Sequence, residues 1–522
     1  MDKSFFQRLI FGSIYCLVVI FCTNAVGSRI FSIPQKYLYY GMITFFSFIG
    51  LWECVRIMKF DNSWEKYAVL PLACTIWYKF SVKYFNGGFH FNFNLSEILG
   101  LTLFMIILVC FLTYIINESE NIFLGLFRII TSPAILVTDF IKVGGIGAAF
   151  LNALLILSFN YFLVRLFKIK ITGVVIAMFF TVFGFSFFGK NILNILPFYL
   201  GGILYSVYTS TDFSEHLISI AFSSALAPFI SSVAFYGEVA YETSYINAIL
   251  IGVLIGFIVV PLAKSLYDFH EGYDLYNLGF TAGILGSVIM AVLKLYHFEI
   301  NPQFLVSSEY DMALKIICSS VFVAFIIVGF YINNNSFSGY FKLMRDNGYK
   351  SDFTQKYGYG LTYINMGMMG LISVAFVTFT GQTFNGPILA GLFTVVGFSA
   401  NGKTIFNTIP IFIGVLLASF GSRGNTFTVA ISGLFGTALA PISGVFGTVA
   451  GIIAGWLHLA VVQNVGLVHG GLNLYNNGFS AGIVAGFLLP IFNMITDNNN
   501  QRKMNIQKTY FFCSNSKPKE YR

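Results

Sequence analysis

Long apolar runs constrain this chain more than any other feature of its sequence. A helix needs about 20 apolar residues to cross the roughly 30 Å hydrocarbon core of a bilayer. Such runs lie near residues 9–27, 38–58, 96–116, 145–167, 171–188, 192–208, 216–236, 246–266, 279–296, 312–333, 358–379, 384–400, 405–420, 427–446, 448–464 and 478–495, with weaker ones near 67–82 and 121–140. The sequence therefore predicts an all-α, polytopic integral membrane protein with about 16–18 membrane segments.

The composition excludes several other classes of protein. Charged residues make up only 10% of the 522 residues and hydrophobic ones 57%, whereas soluble domains average about 25% charged residues. That deficit argues against a soluble multidomain enzyme, a disordered protein and a nucleic-acid-binding protein. The runs are also too uniformly apolar for the alternating strands of a membrane β-barrel. The lipid bilayer is thus the first partner that the sequence implies.

The chain contains an internal duplication. Residues 139–228 align without gaps onto 352–441, and a later polar element that begins at His270 aligns onto one that begins at His469. Pairs of matched residues in the first stretch include Asp139/Asp352, Gly145/Gly358, Asn152/Asn365, Lys190/Lys403, Asn194/Asn407 and Pro197/Pro410. This pattern predicts N-terminal transmembrane helices over 1–138, membrane repeat 1 over 139–296, a linker with one transmembrane helix over 297–351, membrane repeat 2 over 352–495, and a basic, disordered cytoplasmic tail over 496–522.

The distribution of Lys and Arg predicts that the second repeat is inverted relative to the first. Cytoplasmic loops carry the excess of basic residues. The loop 165–170 of the first repeat is basic, whereas its counterpart 378–383 is uncharged, and the segment 342–356 and the C-terminal tail are basic as well. We therefore expect 165–170, 334–357 and both termini on the cytoplasmic side, and 378–383 on the outside.

Both repeats carry helix-breaking residues at the same place. Asn194, followed by Pro197, resembles a helix N-cap with proline in the first turn, and the second copy repeats this pattern at Asn407. Broken helices inside an inverted repeat form the substrate sites of many secondary transporters. Asn194, Asn407, Lys190 and Lys403 are therefore candidate substrate-pathway residues. The alternative is that the two lysines extend to the membrane interface and the prolines kink ordinary helices.

A second polar element is also repeated. It reads His-x-Gly-x-x-Leu-Tyr-Asn-x-Gly-Phe-[Ser/Thr]-Ala-Gly, and its polar side chains both donate and accept hydrogen bonds. Its candidate pathway residues are His270, Tyr276, Asn277, His469, Tyr475 and Asn476. The alternative is a structural clamp, in which these side chains bond to neighbouring backbone and the glycines allow close helix packing.

No motif in the sequence points to an enzyme or a cofactor. Residues 478–482 fit G-x-S-x-G, but that pattern needs a strand–turn–helix context, and here it begins a membrane helix. No nucleotide-binding or zinc-protease motif occurs, so we expect no catalytic residue, metal or cofactor. Asp139 and Asp352 are expected to be helix N-caps. Coupling to protons or Na⁺ through acidic residues near helix ends, such as Asp274, stays open.

At the paired His-x-Gly…Leu-Tyr-Asn-x-Gly-Phe elements the chain resembles an uncharacterised bacterial membrane family, whose members carry the domain of unknown function 1576 in duplicate. The resemblance covers roughly 139–495 and implies a multi-pass protein of the bacterial cytoplasmic membrane, without an established activity. A fainter architectural likeness links the duplication to urea-transporter-type channels. Their Leu-Pro…Thr-x-Pro-Phe signature is absent, so no residue role is carried over.

These features favour a channel or secondary transporter for a small polar or ionic solute, with a pathway formed between two inverted repeats. A non-transporting membrane scaffold or sensor subunit is the alternative, in which the duplication serves packing alone. The solute, the direction of transport and assembly into a homo-oligomer remain open at this stage.

Overall fold

The fold is built from α-helices throughout the described part of the chain. The computed structural model describes residues 121–235, 241–298, 300, 303–420 and 425–515. The predicted segments near 9–27, 38–58, 67–82 and 96–116, with most of the predicted domain 1–138, lie outside these residues.

The first copy is built from helices that range from 5 to 30 residues in length. They are α1 (Ile122–Ile130), α2 (Phe140–Gly144), α3 (Ile146–Leu166), α4 (Gly173–Phe185), α5 (Ile192–Thr209), α6 (Phe213–Ser223), α7 (Ala227–Phe235), α8 (Tyr241–His270) and α9 (Asn277–Leu295). A 3₁₀ turn at Ser224–Leu226 joins α6 to α7. Asp139 is the N-cap of α2, as predicted, and its side chain accepts the backbone N–H of Ile141.

The second copy repeats this order after a linker. The linker holds α10 (Asp311–Ile332) and the short α11 (Tyr340–Met344). The helices of the second copy are α12 (Phe353–Lys356), α13 (Gly358–Phe379), α14 (Gly386–Phe398), α15 (Ile405–Ser419), α16 (Thr426–Gly436), α17 (Ala440–Phe446), α18 (Thr448–Val465) and α19 (Asn476–Asn515). Asp352 caps α12, as predicted.

Ten helical stretches of the described residues are long and apolar enough to cross a membrane. Three shorter apolar helices, α4, α14 and α15, accompany them. These thirteen stretches coincide with the thirteen runs predicted from 145–167 to 478–495, so the chain is an all-α, multi-pass membrane protein. The weaker run near 121–140 forms only the nine-residue α1, which is about 14 Å long and too short to span a bilayer.

Proline residues accompany the breaks between paired helices. The 3₁₀ turn at Thr437–Leu439 links α16 to α17, as its counterpart links α6 to α7. Pro441 occupies the first turn of α17, where the missing N–H of proline costs no intrahelical hydrogen bond. Each repeated Ala-Leu-Ala-Pro element therefore interrupts the α-helical backbone with one 3₁₀ turn.

Equivalent helices of the two copies pack against each other in opposite directions. Gly184 of α4 lies against Ala390 of α14, and Gly397 of α14 lies against Ala177 of α4. From Ala177 to Gly184, toward the C-terminus of α4, the contacting residue of α14 moves from Gly397 back to Ala390. The two helices are therefore antiparallel. The equivalent helices α9 and α19 also contact each other.

The C-terminal segment differs from the expectation of a disordered tail over 496–522. The backbone of α19 continues as a helix to Asn515. No glycine or proline occurs between residues 491 and 515, and a helix that already exists extends more readily than a new one forms. Polar composition alone therefore did not locate the end of this helix.

Candidate functional site

The site lies where α4 ends and α5 begins, and at the equivalent break between α14 and α15. Gly189 and Gly402 adopt positive φ angles of 89° and 110°, a conformation that side chains with a Cβ rarely tolerate. These glycines lie in the short turns that separate α4 from α5 and α14 from α15. The turns place Lys190 and Lys403 at matching positions.

The predicted N-caps at Asn194 and Asn407 are wrong by one turn. Asn191 caps α5 and Thr404 caps α15, and each forms a capping box with the asparagine three residues later. The Oδ1 of Asn194 accepts the N–H of Asn191 at 2.8 Å, so its role is to close the cap from inside the helix. Pro197 accordingly lies within α5 rather than in its first turn.

A buried asparagine fixes each helix break. The Nδ2 of Asn152 donates to the carbonyl oxygens of Ser186 and Lys190, both at 2.7 Å. In the second copy the Nδ2 of Asn365 makes the same two bonds, both at 2.8 Å. Since helix breaks leave backbone groups without partners, each asparagine satisfies two of them. The duplication shows that this pair is repeated, but nothing in the sequence alone indicates the two carbonyl partners of each asparagine.

Each buried lysine contacts a tyrosine of the other copy. The Nζ of Lys190 donates to the hydroxyl of Tyr475 at 2.7 Å, and the Nζ of Lys403 donates to the hydroxyl of Tyr276. Each amine also lies over the ring of its tyrosine, at 4.7 and 4.4 Å from the centroid. Both lysines are 0% exposed, so the alternative in which they extend to the interface does not fit.

The contacts between copies are reciprocal. The N–H of Leu275 donates to the carbonyl of Ala438 at 3.1 Å, and the N–H of Leu474 donates to the carbonyl of Ala225 at 2.9 Å. Leu275 is equivalent to Leu474, and Ala438 is equivalent to Ala225, so each bond runs from one copy to the other in the same way. The two Lys–Tyr bonds show the same reciprocity. The two copies are thus related by an approximate two-fold axis through this junction.

Six aromatic rings form a closed cycle at the junction. Their order is Tyr475, Phe185, Phe435, Tyr276, Phe398, Phe222 and back to Tyr475, with neighbouring centroids 4.6–6.5 Å apart. The cycle contains three residues of each copy in equivalent pairs. Its rings also face the lysines, because the Nζ of Lys190 is 5.5 Å from the centroid of Phe185. Buried amines and aromatic faces attract each other through the ring quadrupole.

One position breaks the equivalence of the two sides. We call Lys190, Tyr475 and Asn473 the first half-site, and Lys403, Tyr276 and Asp274 the second. The backbone N–H of Tyr276 donates to Asp274 Oδ1 at 2.8 Å, and that of Tyr475 donates to Asn473 Oδ1 at 3.0 Å. Their other polar atoms, Asp274 Oδ2 and Asn473 Nδ2, are buried and have no partner among the described residues.

The remaining candidate residues bond within their own copy. The Nε2 of His270 is 3.0 Å from Asn277 Oδ1, and the Nε2 of His469 is 2.8 Å from Asn476 Oδ1. The two asparagines also donate to helix carbonyls fourteen residues earlier. The structure therefore brings the lysines and tyrosines together at the junction, whereas the His–Asn pairs tie each loop to the preceding helix.

The described residues contain no group of three or more His, Cys, Asp or Glu side chains placed to hold a metal ion. The chemistry available at the junction is instead two ammonium groups, two phenol groups, one carboxylate and one carboxamide. Such a set can bind and release a small solute through hydrogen bonds and charge.

Comparison with known proteins identifies one family. A family model described as "Protein of unknown function (DUF1576)" matches residues 118–295 and 332–494. The two matches cover about two thirds of the chain and confirm the duplicated domain indicated by the sequence. No curated protein and no solved structure matches the chain.

Proposed function

The chain belongs to the DUF1576 family of proteins of unknown function, and we propose that it is a channel or secondary transporter for a small polar or ionic solute. The solute pathway passes through the junction of the two copies. The observation that carries this proposal is the burial of Lys190 and Lys403, which form no ion pair with a described residue.

Buried, unpaired lysines are costly to a fold. An ammonium group loses several kcal/mol of solvation on leaving water, and an opposite charge must normally compensate. Hydrophobic side chains of similar size stabilise such positions as well or better. Ionisable groups inside membrane proteins consequently mark ion and substrate pathways, and the approximate two-fold axis relates these two lysines to each other.

The antiparallel packing of α4 against α14 supports inverted repeats. A two-fold axis that relates antiparallel helices runs roughly perpendicular to them. If these helices are aligned with the membrane normal, the axis lies in the membrane plane, as in transporters with inverted repeats. We therefore propose the topology that the basic loops predict, with 165–170, 334–357 and both termini on the cytoplasmic side of a bacterial cytoplasmic membrane.

The aromatic cycle supplies a constriction for such a pathway. Rings packed around the junction exclude water while they remain in contact, and hydrophobic constrictions gate channels by dewetting. Rotation of a few side chains then suffices to admit a small solute. The lysines next to the cycle stabilise a polar or charged solute that has lost its water.

Flux in proteoliposomes tests the proposal. Osmotic swelling and ion-selective electrodes would follow urea, glycerol, chloride, nitrate, formate and potassium. We expect at least one of these solutes to cross faster than in empty liposomes, and the Lys190→Met/Lys403→Met double variant to abolish that flux. Lys294→Met, at an exposed site in the last turn of α9, is the matched control and should retain it.

The opposite result would favour the scaffold or sensor alternative. Folded protein that passes none of these solutes faster than empty liposomes would contradict the proposal. Equal flux in the wild type and the double variant would remove the lysines from the pathway.

Labelling of cysteines tests the topology separately. Lys170 and Thr383 are equivalent positions in loops of the two copies. In a background without the native cysteines, Lys170→Cys and Thr383→Cys should react with a membrane-impermeant maleimide from opposite sides of the membrane. Labelling of both from the same side would contradict inverted repeats.

A further inference from the structure

We propose that the first half-site, formed by Lys190, Tyr475 and Asn473, binds one small monovalent anion, and that Asp274 prevents the second half-site from doing so. The ligand class is a halide or a small oxyanion such as nitrate or formate. The inference rests on the proposed function, because it names the solute class of that pathway.

The amide of Asn473 presents a donor that has no protein partner. The backbone N–H of Tyr475 can bond only to the oxygen of this side chain, and it does so at 3.0 Å. The nitrogen Nδ2 is therefore the other end of the amide. Asn473 is 0% exposed, and no described residue accepts a bond from Nδ2. A buried donor left unpaired destabilises the fold, and a bound acceptor would remove that cost.

Lys190 adds further unused donors to the same half-site. Its ammonium has three N–H groups, and the Tyr475 hydroxyl is the one acceptor that the described residues offer it. Leu474, between the asparagine and the tyrosine, packs against Gly189 next to the lysine. The first half-site thus combines an ammonium group that forms no ion pair with a described residue and an amide donor without a partner among the described residues.

The second half-site is compensated by its own residues. Lys403 donates to the Thr437 hydroxyl at 2.6 Å as well as to Tyr276, and this half-site carries the carboxyl group of Asp274 where the first carries the amide of Asn473. The residue equivalent to Thr437 in the first half-site is Ser224, whose hydroxyl donates to Ala221 O and accepts no bond from Lys190. A carboxylate with a free oxygen repels an anion, so this half-site disfavours the ligand that the first half-site accepts.

Apart from the Thr437/Ser224 pair, the difference between the half-sites amounts to one functional group. Asp274 and Asn473 have the same shape, lie at the same place in the repeat, and accept a backbone N–H from the following tyrosine. Exchanging them should therefore preserve folding while it moves the charge. Asn473→Asp makes the first half-site resemble the second, and Asp274→Asn makes the second resemble the first.

Calorimetric titration of the purified full chain tests the assignment. The probes are chloride, nitrate and formate, added at constant ionic strength against gluconate, which is too large for a buried site. We expect one anion bound per chain in the wild type, about tenfold weaker or undetectable binding in Asn473→Asp and Lys190→Met, and two anions per chain in Asp274→Asn.

The outcomes separate this inference from the proposed function. Wild-type binding in both Asn473→Asp and Lys190→Met, or no binding of any probe to the wild type, would overturn the anion site. Anion binding without flux in proteoliposomes would contradict the proposed transport function but would still support the anion site. If one exchanged variant fails to fold, the stoichiometry of the other still decides between the outcomes.

Discussion

Gly279 and Gly478, equivalent residues at the starts of α9 and α19, face each other at the junction of the two copies. A Cβ built on Gly279 would lie 2.8 Å from the Cα of Gly478, and one built on Gly478 would lie 2.9 Å from the Cα of Gly279. Backbone atoms are the obstacle, so no rotamer change relieves the clash. The two helices approach this closely only because neither residue has a side chain.

Alanine at either glycine should destabilise the protein. Gly279→Ala and Gly478→Ala force the two backbones apart, and overpacking of this kind costs about 1–3 kcal/mol. We expect each variant to unfold at a lower temperature in detergent, as followed by intrinsic fluorescence. Gly466→Ala is the control, since its nearest neighbour would be Asn476 Nδ2 at 3.9 Å. Melting temperatures equal to that of the wild type in both junction variants would contradict the close approach.

Loss of the asparagine that fixes a helix break should also be costly. Asn152→Ala and Asn365→Ala each leave two carbonyl oxygens inside the protein without their donors, at about 1–3 kcal/mol for each unpaired group. Thermal unfolding should show a clear loss for both. In the control Asn464→Ala, the lost bond is to Ala460 O in the same helix at an exposed site, so an equal loss there would contradict the role of the buried pair.

The sequence predicted the helices well because a membrane leaves little choice of structure. Every backbone group in hydrocarbon needs an internal partner, so apolar runs become helices. The duplication also predicted which elements correspond. Helix ends were harder to predict from the sequence, because Asn191 and Asn194 have the same propensity to cap a helix. Only the structure shows that Asn191 is the N-cap.

The pairing between copies could not be read from the sequence. Lys190 and Tyr475 lie 285 residues apart, and nothing local indicates that each lysine bonds to the tyrosine of the other copy. A signal was nevertheless present, since Lys and Tyr recur in both copies while Asp274 aligns with Asn473. A single difference at an otherwise repeated polar position marks the place where two equivalent sites diverge.

The stability of the linker should depend on pH through Asp346. Burial alone would raise the pKa of this carboxyl group, but hydrogen bonds from Lys356, Gly348, Tyr357 and Ser351 bring its pKa below the ordinary value. A carboxyl group with a lowered pKa in the folded state stabilises that state above its unfolded pKa of about 4. The contribution is lost as the pH falls through the folded value.

The melting temperature measured from about pH 7 to about pH 3 checks this dependence. Asp346→Asn should melt below the wild type at neutral pH, and the difference should shrink as the medium is acidified. Asp212→Asn is the control, because Asp212 is exposed and its side chain makes no capping hydrogen bond. A constant difference between wild type and Asp346→Asn over the whole range would show that the carboxylate charge is not responsible.

The two tyrosine hydroxyls at the junction should differ in importance. Tyr276→Phe leaves Lys403 the Thr437 hydroxyl as an acceptor, whereas Tyr475→Phe leaves Lys190 no acceptor among the described residues. In gluconate buffer, Tyr475→Phe should therefore cost about 1–2 kcal/mol more stability than Tyr276→Phe. Tyr208→Phe, at a side chain that is 78% exposed, is the control.

Removal of the Lys190 charge should restore the stability that Tyr475→Phe loses. Lys190→Met in the Tyr475→Phe background replaces an ammonium without an acceptor by an apolar side chain of similar length, which a buried position tolerates better. The double variant should melt at or above the temperature of the wild type. A double variant that melts as low as Tyr475→Phe would mean that the tyrosine stabilises the aromatic cycle rather than the lysine, and the Lys–Tyr bond would then contribute little to the fold.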